Sequence, residues 1–208
     1  MGDDDSAAAT PAVVVEELGA HAILRFNGPR ERNALSLSTL AALEQAFGEL
    51  TARADLTTII ITGTDDVFAS GANIRELQTL TPATAREFAV RGQRLFQRIA
   101  DARQLTVAAV NGYCMGGGLD LALACDVRVA SNDAVFAHPG ARLGIITGWG
   151  GTQRLAGLVG TARALGMFLT ARRVGAAEAK AIGLVEEVGD PVLERARATA
   201  SRLAARGG

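Results

Sequence analysis

The spacing of apolar residues predicts alternating strands and helices along this chain. Residues 13–18 and 21–26 are apolar runs separated by Gly19 and Ala20, and they predict a β-hairpin. Residues 36–53 place leucines and a phenylalanine three and four positions apart, which predicts an amphipathic helix capped by Ser36 or Ser38. Further strands are predicted at 57–62, 106–110, 127–130, 134–137 and 184–188, and helices at 73–77, 82–102, 119–124, 152–170, 176–182 and 191–206.

Three consecutive glycines, Gly116 to Gly118, follow the apolar strand that ends near residue 110, and Asp120 stands two positions after the last of them. Glycine lets the backbone turn tightly and brings bare N–H groups against a ligand. Because the predicted helix at 119–124 begins there, its positive N-terminal end favours an anion or a developing oxyanion. The segment therefore predicts a site for negative charge beside Asp120, with a simple tight turn and a helix-stabilising aspartate as the alternative.

Other glycine-rich stretches follow strands as well. Residues 63–71 are rich in Gly, Asp and Ser and predict a loop, and residues 144–151 form a second glycine-rich loop before the helical region at 152–170. The G-x-G-x-x-G and G-x-x-x-x-G-K-[ST] patterns that bind nucleotide phosphates are absent from the sequence. A nucleotide-binding loop is therefore a poor interpretation of these glycines.

Composition narrows the class of protein. The chain has 208 residues, of which 49% are hydrophobic, so it can fill one core. A formal net charge of −1 supplies no basic surface for nucleic acid. Two cysteines and two histidines without ligand spacing predict no metal site, and no apolar run is long enough for a membrane span. We expect a cytoplasmic protein with a disordered tail over residues 1–11.

Four segments in order resemble the crotonase superfamily, the enoyl-CoA hydratases, isomerases and their relatives. They begin with Asn27-Gly-Pro-Arg-Glu-Arg-Asn-Ala-Leu35 and Phe68-Ala-Ser-Gly-Ala-Asn-Ile74. The glycine-rich segment 110–126 and Gly144-Ile-Ile-Thr-Gly-Trp-Gly-Gly-Thr-Gln-Arg-Leu155 complete the set. The resemblance implies an α/β fold, a crotonase-like core of repeated ββα units over residues 12–190, and a shortened C-terminal helical region over 191–208.

The resemblance also implies a chemistry. Enzymes of this superfamily bind a CoA thioester as substrate, with no separate cofactor, act in fatty acid metabolism and elsewhere, and form trimers or hexamers. Negative charge develops on the thioester oxygen, and two backbone N–H groups stabilise it. By motif position these donors are Ala72 and Gly117. The family's CoA-binding positions correspond to Arg30, Arg32, Ser70, Asn73 and Ile74, although both arginines could equally be solvated surface charges.

The proton-transfer residues depart from the hydratase pattern. Asp120 stands where hydratases carry a glutamate, and Gly140 stands at the position of their second glutamate. His138 is a candidate substitute for proton transfer, although a histidine beside a proline is also a common structural residue. Three hypotheses follow: an enoyl-CoA hydratase or isomerase, an acyl-CoA decarboxylase, or a non-catalytic acyl-CoA-binding or subunit-interaction protein. Decarboxylation needs the oxyanion donors but no general base, and Trp149 before a glycine pair weakly resembles some family decarboxylases.

Overall fold

The computed structural model describes residues 11–205, which form an α/β fold. The tail predicted for residues 1–11 lies, except for Pro11, outside the described residues, as do the last three residues of the chain. The strands are β1 (Val13–Leu18), β2 (His21–Phe26), β3 (Ala34–Leu35), β4 (Thr58–Thr62), β5 (Val67–Ala69), β6 (Gly71–Ala72), β7 (Leu105–Val110), β8 (Tyr113–Met115), β9 (Val127–Ala130), β10 (Val135–Ala137), β11 (Val174–Gly175) and β12 (Glu187–Val188).

The helices alternate with these strands. They are α1 (Leu37–Ala52), α2 (Ile74–Gln78), α3 (Pro82–Ala100), α4 (Gly117–Ala124), α5 (Gly151–Val159), α6 (Thr161–Thr170), α7 (Ala176–Ala181) and α8 (Val192–Ala204). Short 3-10 helices cover Pro29–Glu31 and Pro139–Leu143. Ser36 caps α1 as predicted, because its side-chain oxygen accepts a hydrogen bond from the Thr39 N–H at 3.1 Å.

The largest sheet within the described residues has the strand order β1-β2-β4-β7-β9-β12. Its β1–β2 pair is the predicted antiparallel hairpin, and the remaining neighbours are parallel. Every residue of β4 is buried because both faces of the sheet are covered. One face packs on α1, α3 and α4 around Phe47, Phe96 and Leu121.

Helix α8 covers the opposite face of this sheet. Val192, Ala196 and Ala200 pack there against Ile60 and Val107. Asp120 belongs to α4, whose neighbours lie in the other cluster. The part of the predicted C-terminal segment that the structure describes therefore stabilises the sheet and does not cover the region around Asp120.

A smaller sheet of order β11-β10-β8-β5 carries the candidate site and corrects the sequence analysis. Residues 63–71, predicted as a loop, contain β5 and the start of β6, and β8 is an additional strand that the prediction lacks. These strands have two or three residues each, too few to show an alternating pattern, and they exist because they pair with neighbours distant in sequence.

Several predicted boundaries were also wrong. Helix α4 begins at Gly117, two residues before its predicted start, so Gly117 lies in the first helical turn. The helices predicted over 152–170 are confirmed as α5 and α6, which are separated at Gly160. The strand predicted at 184–188 reduces to Glu187–Val188, because only those residues pair with β9.

Candidate active site

Parallel pairing brings the predicted site segments together. Strands β5, β8 and β10 lie side by side in the small sheet, and both pairs are parallel. The segments that follow them carry, in turn, Ala72, the Gly117–Asp120 turn and His138. Because the carboxyl ends of parallel strands meet at one edge of a sheet, three segments distant in sequence converge there.

The two glycine-rich turns approach each other closely. Gly71 has a φ of +96°, and a β-carbon built on it would lie 2.8 Å from the Met115 carbonyl oxygen and 3.1 Å from the Gly117 nitrogen. A β-carbon built on Gly117 would lie 3.5 Å from the Ala72 nitrogen. Only glycine at position 71 permits this approach, which brings the backbones of Ala72 and Gly117 next to each other. The Gly117 N–H makes no hydrogen bond to any other group of residues 11–205.

Asp120 is a fully buried carboxylate at the centre of this region. Its Oδ2 accepts hydrogen bonds from the Thr147 hydroxyl and from the Trp149 N–H, the latter at 3.3 Å. Its Oδ1 has no hydrogen-bond partner among the described residues. Helix α4 therefore presents one oxygen of Asp120 that is held in place and one, Oδ1, that has no hydrogen bond and lies beside Gly151.

His138 faces Oδ1 of Asp120. Its Nε2 lies 3.7 Å from Asp120 Oδ1, and its ring packs against the Phe168 ring at a centroid distance of 4.7 Å. The imidazole is 3% exposed, and neither of its nitrogens has a hydrogen-bond partner in residues 11–205. A buried histidine with two unpartnered nitrogens is unusual for a purely structural residue, because buried polar groups are normally hydrogen-bonded.

Burial moves the pKa values of these two groups in opposite directions. Burial raises the pKa of Asp120 from 3.8 to about 6, against the Thr147 and Trp149 hydrogen bonds and the charge of Arg154, which lower it. Burial lowers the pKa of His138 from 6.5 to about 4. Asp120 is therefore ionised and His138 neutral at neutral pH, so the two groups do not form an ion pair.

Gly140, predicted to stand at the position of the hydratases' second glutamate, is closed in by backbone. A β-carbon built on Gly140 would lie 2.5 Å from the Ile145 carbonyl oxygen, and the Ile145 N–H donates to the Gly140 carbonyl at 3.0 Å. The turn over 140–145 therefore leaves no space for any side chain at position 140 in this conformation.

Residues 17–207 match the family model described as enoyl-CoA hydratase/isomerase. The chain belongs to that family. This result confirms the crotonase resemblance and the α/β crotonase fold predicted from the motifs.

Relatives of the family resemble this chain over most of its length. A short-chain-enoyl-CoA hydratase of Clostridium acetobutylicum is 36% identical over 86% of this chain and 69% of its own length. A crotonyl-CoA hydratase of Syntrophomonas wolfei is 38% identical over 94% of this chain and 76% of its own. The enoyl-CoA hydratase structure from Bacillus anthracis has a TM-score of 0.88 at 32% identity, covering 93% of this chain and 76% of that one.

The five predicted CoA-binding positions lie along the family's first two site segments. Arg30, Arg32 and Ile74 are exposed, and Ser70 is partly buried. Arg32 contacts Asp66 at 3.5 Å and lies 5.1 Å from the Tyr113 ring centroid. Asn73 caps α2, since its side-chain oxygen accepts from the Arg75 N–H at 3.0 Å and the Glu76 N–H at 3.4 Å.

Two site contacts were missed by the sequence analysis. The Thr147 hydroxyl donates to Asp120, and the Phe168 ring packs on His138. No motif in the sequence indicates either contact. Within residues 11–205, no three His, Cys, Asp or Glu side chains cluster as a metal site would require, and no helix is long and apolar enough to cross a membrane.

Proposed function

We propose that this enoyl-CoA hydratase/isomerase family member converts 2-enoyl-CoA or 3-enoyl-CoA thioesters, with Asp120 as the group that transfers the proton. The observation that carries this proposal is the state of Asp120. It is fully buried next to the Gly117 turn, and one carboxylate oxygen is unpartnered among the described residues. A carboxylate with only a helix-stabilising role would have no reason to keep a buried oxygen unsatisfied.

The enolate is stabilised by the two turns. In this proposal the thioester oxygen accepts hydrogen bonds from the Ala72 and Gly117 N–H groups, whose backbones lie side by side. Gly117 is in the first turn of α4, so the helix adds its partial positive charge where the oxyanion develops. Donors fixed in advance need no reorganisation during the reaction, and the loss of one typically costs roughly 10² to 10³ in rate.

A single carboxylate is sufficient for both reactions of the family name. In hydration, ionised Asp120 takes a proton from water while the water oxygen bonds to C3. The resulting enolate then receives that proton from Asp120 at C2. In isomerisation, Asp120 takes a proton from C4 of a 3-enoyl thioester and returns it to C2, which moves the double bond. Both cycles restore Asp120 to its carboxylate form, and a pKa of about 6 makes it a stronger base than an ordinary aspartate.

His138 contributes as a neutral imidazole. Its Nε2 at 3.7 Å from Asp120 Oδ1 is too far for a direct hydrogen bond, but both groups can contact one water molecule or one substrate atom between them. In the hydration route it therefore positions the attacking water against Asp120. It takes part of the role that the second glutamate has in hydratases, where this chain has Gly140.

CoA binding and assembly complete the proposal. Arg30 and Arg32 are exposed and suited to bidentate contact with CoA phosphates, with Ser70, Asn73 and Ile74 along the same segments. No cofactor other than the CoA of the substrate is required, and we expect a cytoplasmic enzyme. A trimer or hexamer would cover three exposed apolar side chains, Leu143 at the end of a 3-10 helix, Ile146 in the loop that follows and Leu169 on α6.

Turnover assays test the proposal. Purified protein is incubated with crotonyl-CoA, a 3-enoyl-CoA and a malonyl-type thioester, beside Asp120→Asn and the exposed control Asp133→Asn. We expect turnover of an enoyl thioester by the wild type and Asp133→Asn, and a loss of at least about a hundredfold in Asp120→Asn. Turnover of the malonyl-type thioester alone would support the decarboxylase hypothesis, and calorimetric binding without any turnover would support the non-catalytic one. Either result would overturn the proposal.

A further inference from the structure

We infer that Trp149 closes the acyl side of the site and restricts the substrate to short acyl chains. This inference rests on the proposed function. It concerns a residue whose indole lies in the core of the candidate site and which the proton chemistry does not use.

The indole borders the place where the thioester oxygen would bind. A β-carbon built on Gly117 would lie 2.4 Å from Trp149 Cζ3 and 2.7 Å from Cε3, and 3.5 Å from the Ala72 nitrogen. The edge of the six-membered ring therefore contacts Gly117 on the side where the Ala72 backbone also lies. A carbonyl oxygen held by these two backbones would sit beside the indole.

The position of Asp120 indicates that the indole is on the acyl side of that carbonyl and away from CoA. Asp120 must reach C2 and its neighbouring carbons to transfer a proton, so the acyl chain runs past this carboxylate. The backbone N–H of Trp149 donates to Asp120 Oδ2 at 3.3 Å, which fixes residue 149 next to the reacting carbons. The CoA-binding positions, by contrast, lie on the segments around Arg30 and Ser70.

Helix α3 prevents the indole from moving aside. The Phe88 ring lies 5.1 Å from Trp149 and the Phe96 ring 5.4 Å, the second edge-to-face. Gly92 lies between these residues on the same helix, and a β-carbon there would be 2.3 Å from the indole Nε1. Trp149 is 3% exposed, so the ring is enclosed by α3 on one side and α4 on the other. A long acyl chain would have to displace this cluster.

The test measures affinity as a function of chain length. Butyryl-CoA and octanoyl-CoA, which lack the double bond, are titrated calorimetrically into the wild type, Trp149→Ala and Trp149→Phe. A pocket that accepts the chain gains about fourfold in affinity for each buried methylene. We expect the wild type to bind butyryl-CoA at least about tenfold more tightly than octanoyl-CoA, and Trp149→Ala to bind octanoyl-CoA at least as tightly as butyryl-CoA. Trp149→Phe, whose smaller ring withdraws from Gly117, shifts the ratio in the same direction by less.

Phe96→Leu is the matched control. It removes aromatic packing from the same cluster at a fully buried position behind the indole. It should lower the melting temperature and leave the chain-length ratio unchanged, whereas a change equal to that of Trp149→Ala would overturn the inference. If Trp149→Ala does not fold, the Trp149→Phe ratio decides, and an unchanged ratio contradicts the inference.

The outcomes separate this inference from the proposed function. Wild-type protein that binds and turns over four- and eight-carbon enoyl thioesters equally well would leave the function standing and overturn the role of Trp149. Wild-type protein that binds no acyl-CoA of any length would overturn both.

Discussion

The Nε2 of His138 and the Oδ1 of Asp120 lie 3.7 Å apart in the core of the candidate site, and both atoms are without hydrogen-bond partners among the described residues. Burial raises the pKa of Asp120 to about 6 and lowers that of His138 to about 4. The pair is thus neutral between these two pH values and carries a single negative charge above them. In the proposed mechanism the stability of the fold and the reactivity of Asp120 are linked, because the negative charge that makes Asp120 a base is the charge that burial disfavours.

Asp120→Asn is expected to lower activity and raise stability. The pKa of Asp120 is raised from 3.8 to about 6 in the folded state, so the stability linked to its protonation is lost as pH rises through this interval, about 3 kcal/mol in all. Asparagine stays uncharged and can still accept the Thr147 and Trp149 hydrogen bonds. We expect a higher melting temperature than the wild type at neutral pH, measured by calorimetry beside Asp133→Asn. A lower melting temperature would mean that the carboxylate stabilises the fold.

The two groups make opposite contributions to the pH dependence of stability. Stability linked to His138 is present above pH 6.5 and is lost as pH falls through about 4. Stability linked to Asp120 is present below pH 3.8 and is lost as pH rises through about 6. Between about pH 4 and 6 the two slopes oppose each other. As pH increases from about 4 to 6, the free energy of unfolding should therefore increase in Asp120→Asn and decrease in His138→Gln. Urea unfolding at a series of pH values measures both slopes, and equal slopes in the two variants would contradict the pairing.

Activity should depend on the ionised form of Asp120. Because the carboxylate accepts the proton, kcat/KM is expected to increase with pH and to reach half its maximum near pH 6, the pKa of Asp120 in the free enzyme. His138→Gln should show the same increase of kcat/KM with pH. It should lower the rate of hydration more than the rate of isomerisation, because isomerisation needs no water. A half-maximum near the ordinary aspartate pKa of 3.8 would contradict the buried-base mechanism.

Gly71→Ala tests the close approach of the two turns. Its β-carbon would meet the Met115 carbonyl oxygen at 2.8 Å from a backbone with a φ of +96°. The turn must shift, and a displacement near 1 Å of a catalytic group typically costs about a hundredfold in rate. Gly157→Ala is the control, because nothing lies within 4 Å of its β-carbon and alanine favours the helix by roughly 0.5–1 kcal/mol. A fully active Gly71→Ala would contradict the proposed use of the Ala72 and Gly117 N–H groups.

Gly140→Glu places a carboxylate where the sequence analysis predicts the second glutamate of hydratases, but it should not improve hydration. The Ile145 carbonyl lies 2.5 Å from the new β-carbon, so the turn at 140–145 must open to accept any side chain. We expect a lower melting temperature and no gain in crotonyl-CoA hydration. Gly140→Ala separates the steric effect from the charge, since it should be destabilised as well. A gain of tenfold or more in hydration by Gly140→Glu would show that the turn adapts.

The sequence alone predicted most strands of the large sheet, and α1, because their signals are local. The β1–β2 hairpin has the predicted strand limits, and Ser36 caps α1 as its position indicated. The small sheet could not be predicted in the same way. Strand β8 has three residues and depends on pairing with Val67, Ala69 and β10, so its stability is not encoded in its own pattern.

The candidate site shows the same division. Asp120, His138 and the glycine turns could be named from motif positions, but their meeting depends on the parallel order of β5, β8 and β10. Thr147 lies 27 positions from Asp120 and carries no distinctive signal, although its hydroxyl holds the carboxylate. The burial of Trp149 and the contact of its ring with Gly117 likewise had no signal in the sequence. Long-range steric contacts of this kind have no periodicity along the chain.

In the proposed mechanism the N–H groups of Ala72 and Gly117 hold the thioester oxygen beside Asp120. The carbonyl stretching frequency of isotopically labelled crotonyl-CoA bound to Asp120→Asn measures this directly, because we expect this variant to bind the thioester and to turn it over at least about a hundredfold more slowly. We predict a lower frequency than for the same thioester in water, and a return to the aqueous value when Gly71→Ala is added. A bound carbonyl with the aqueous frequency or a higher one in Asp120→Asn would contradict the account.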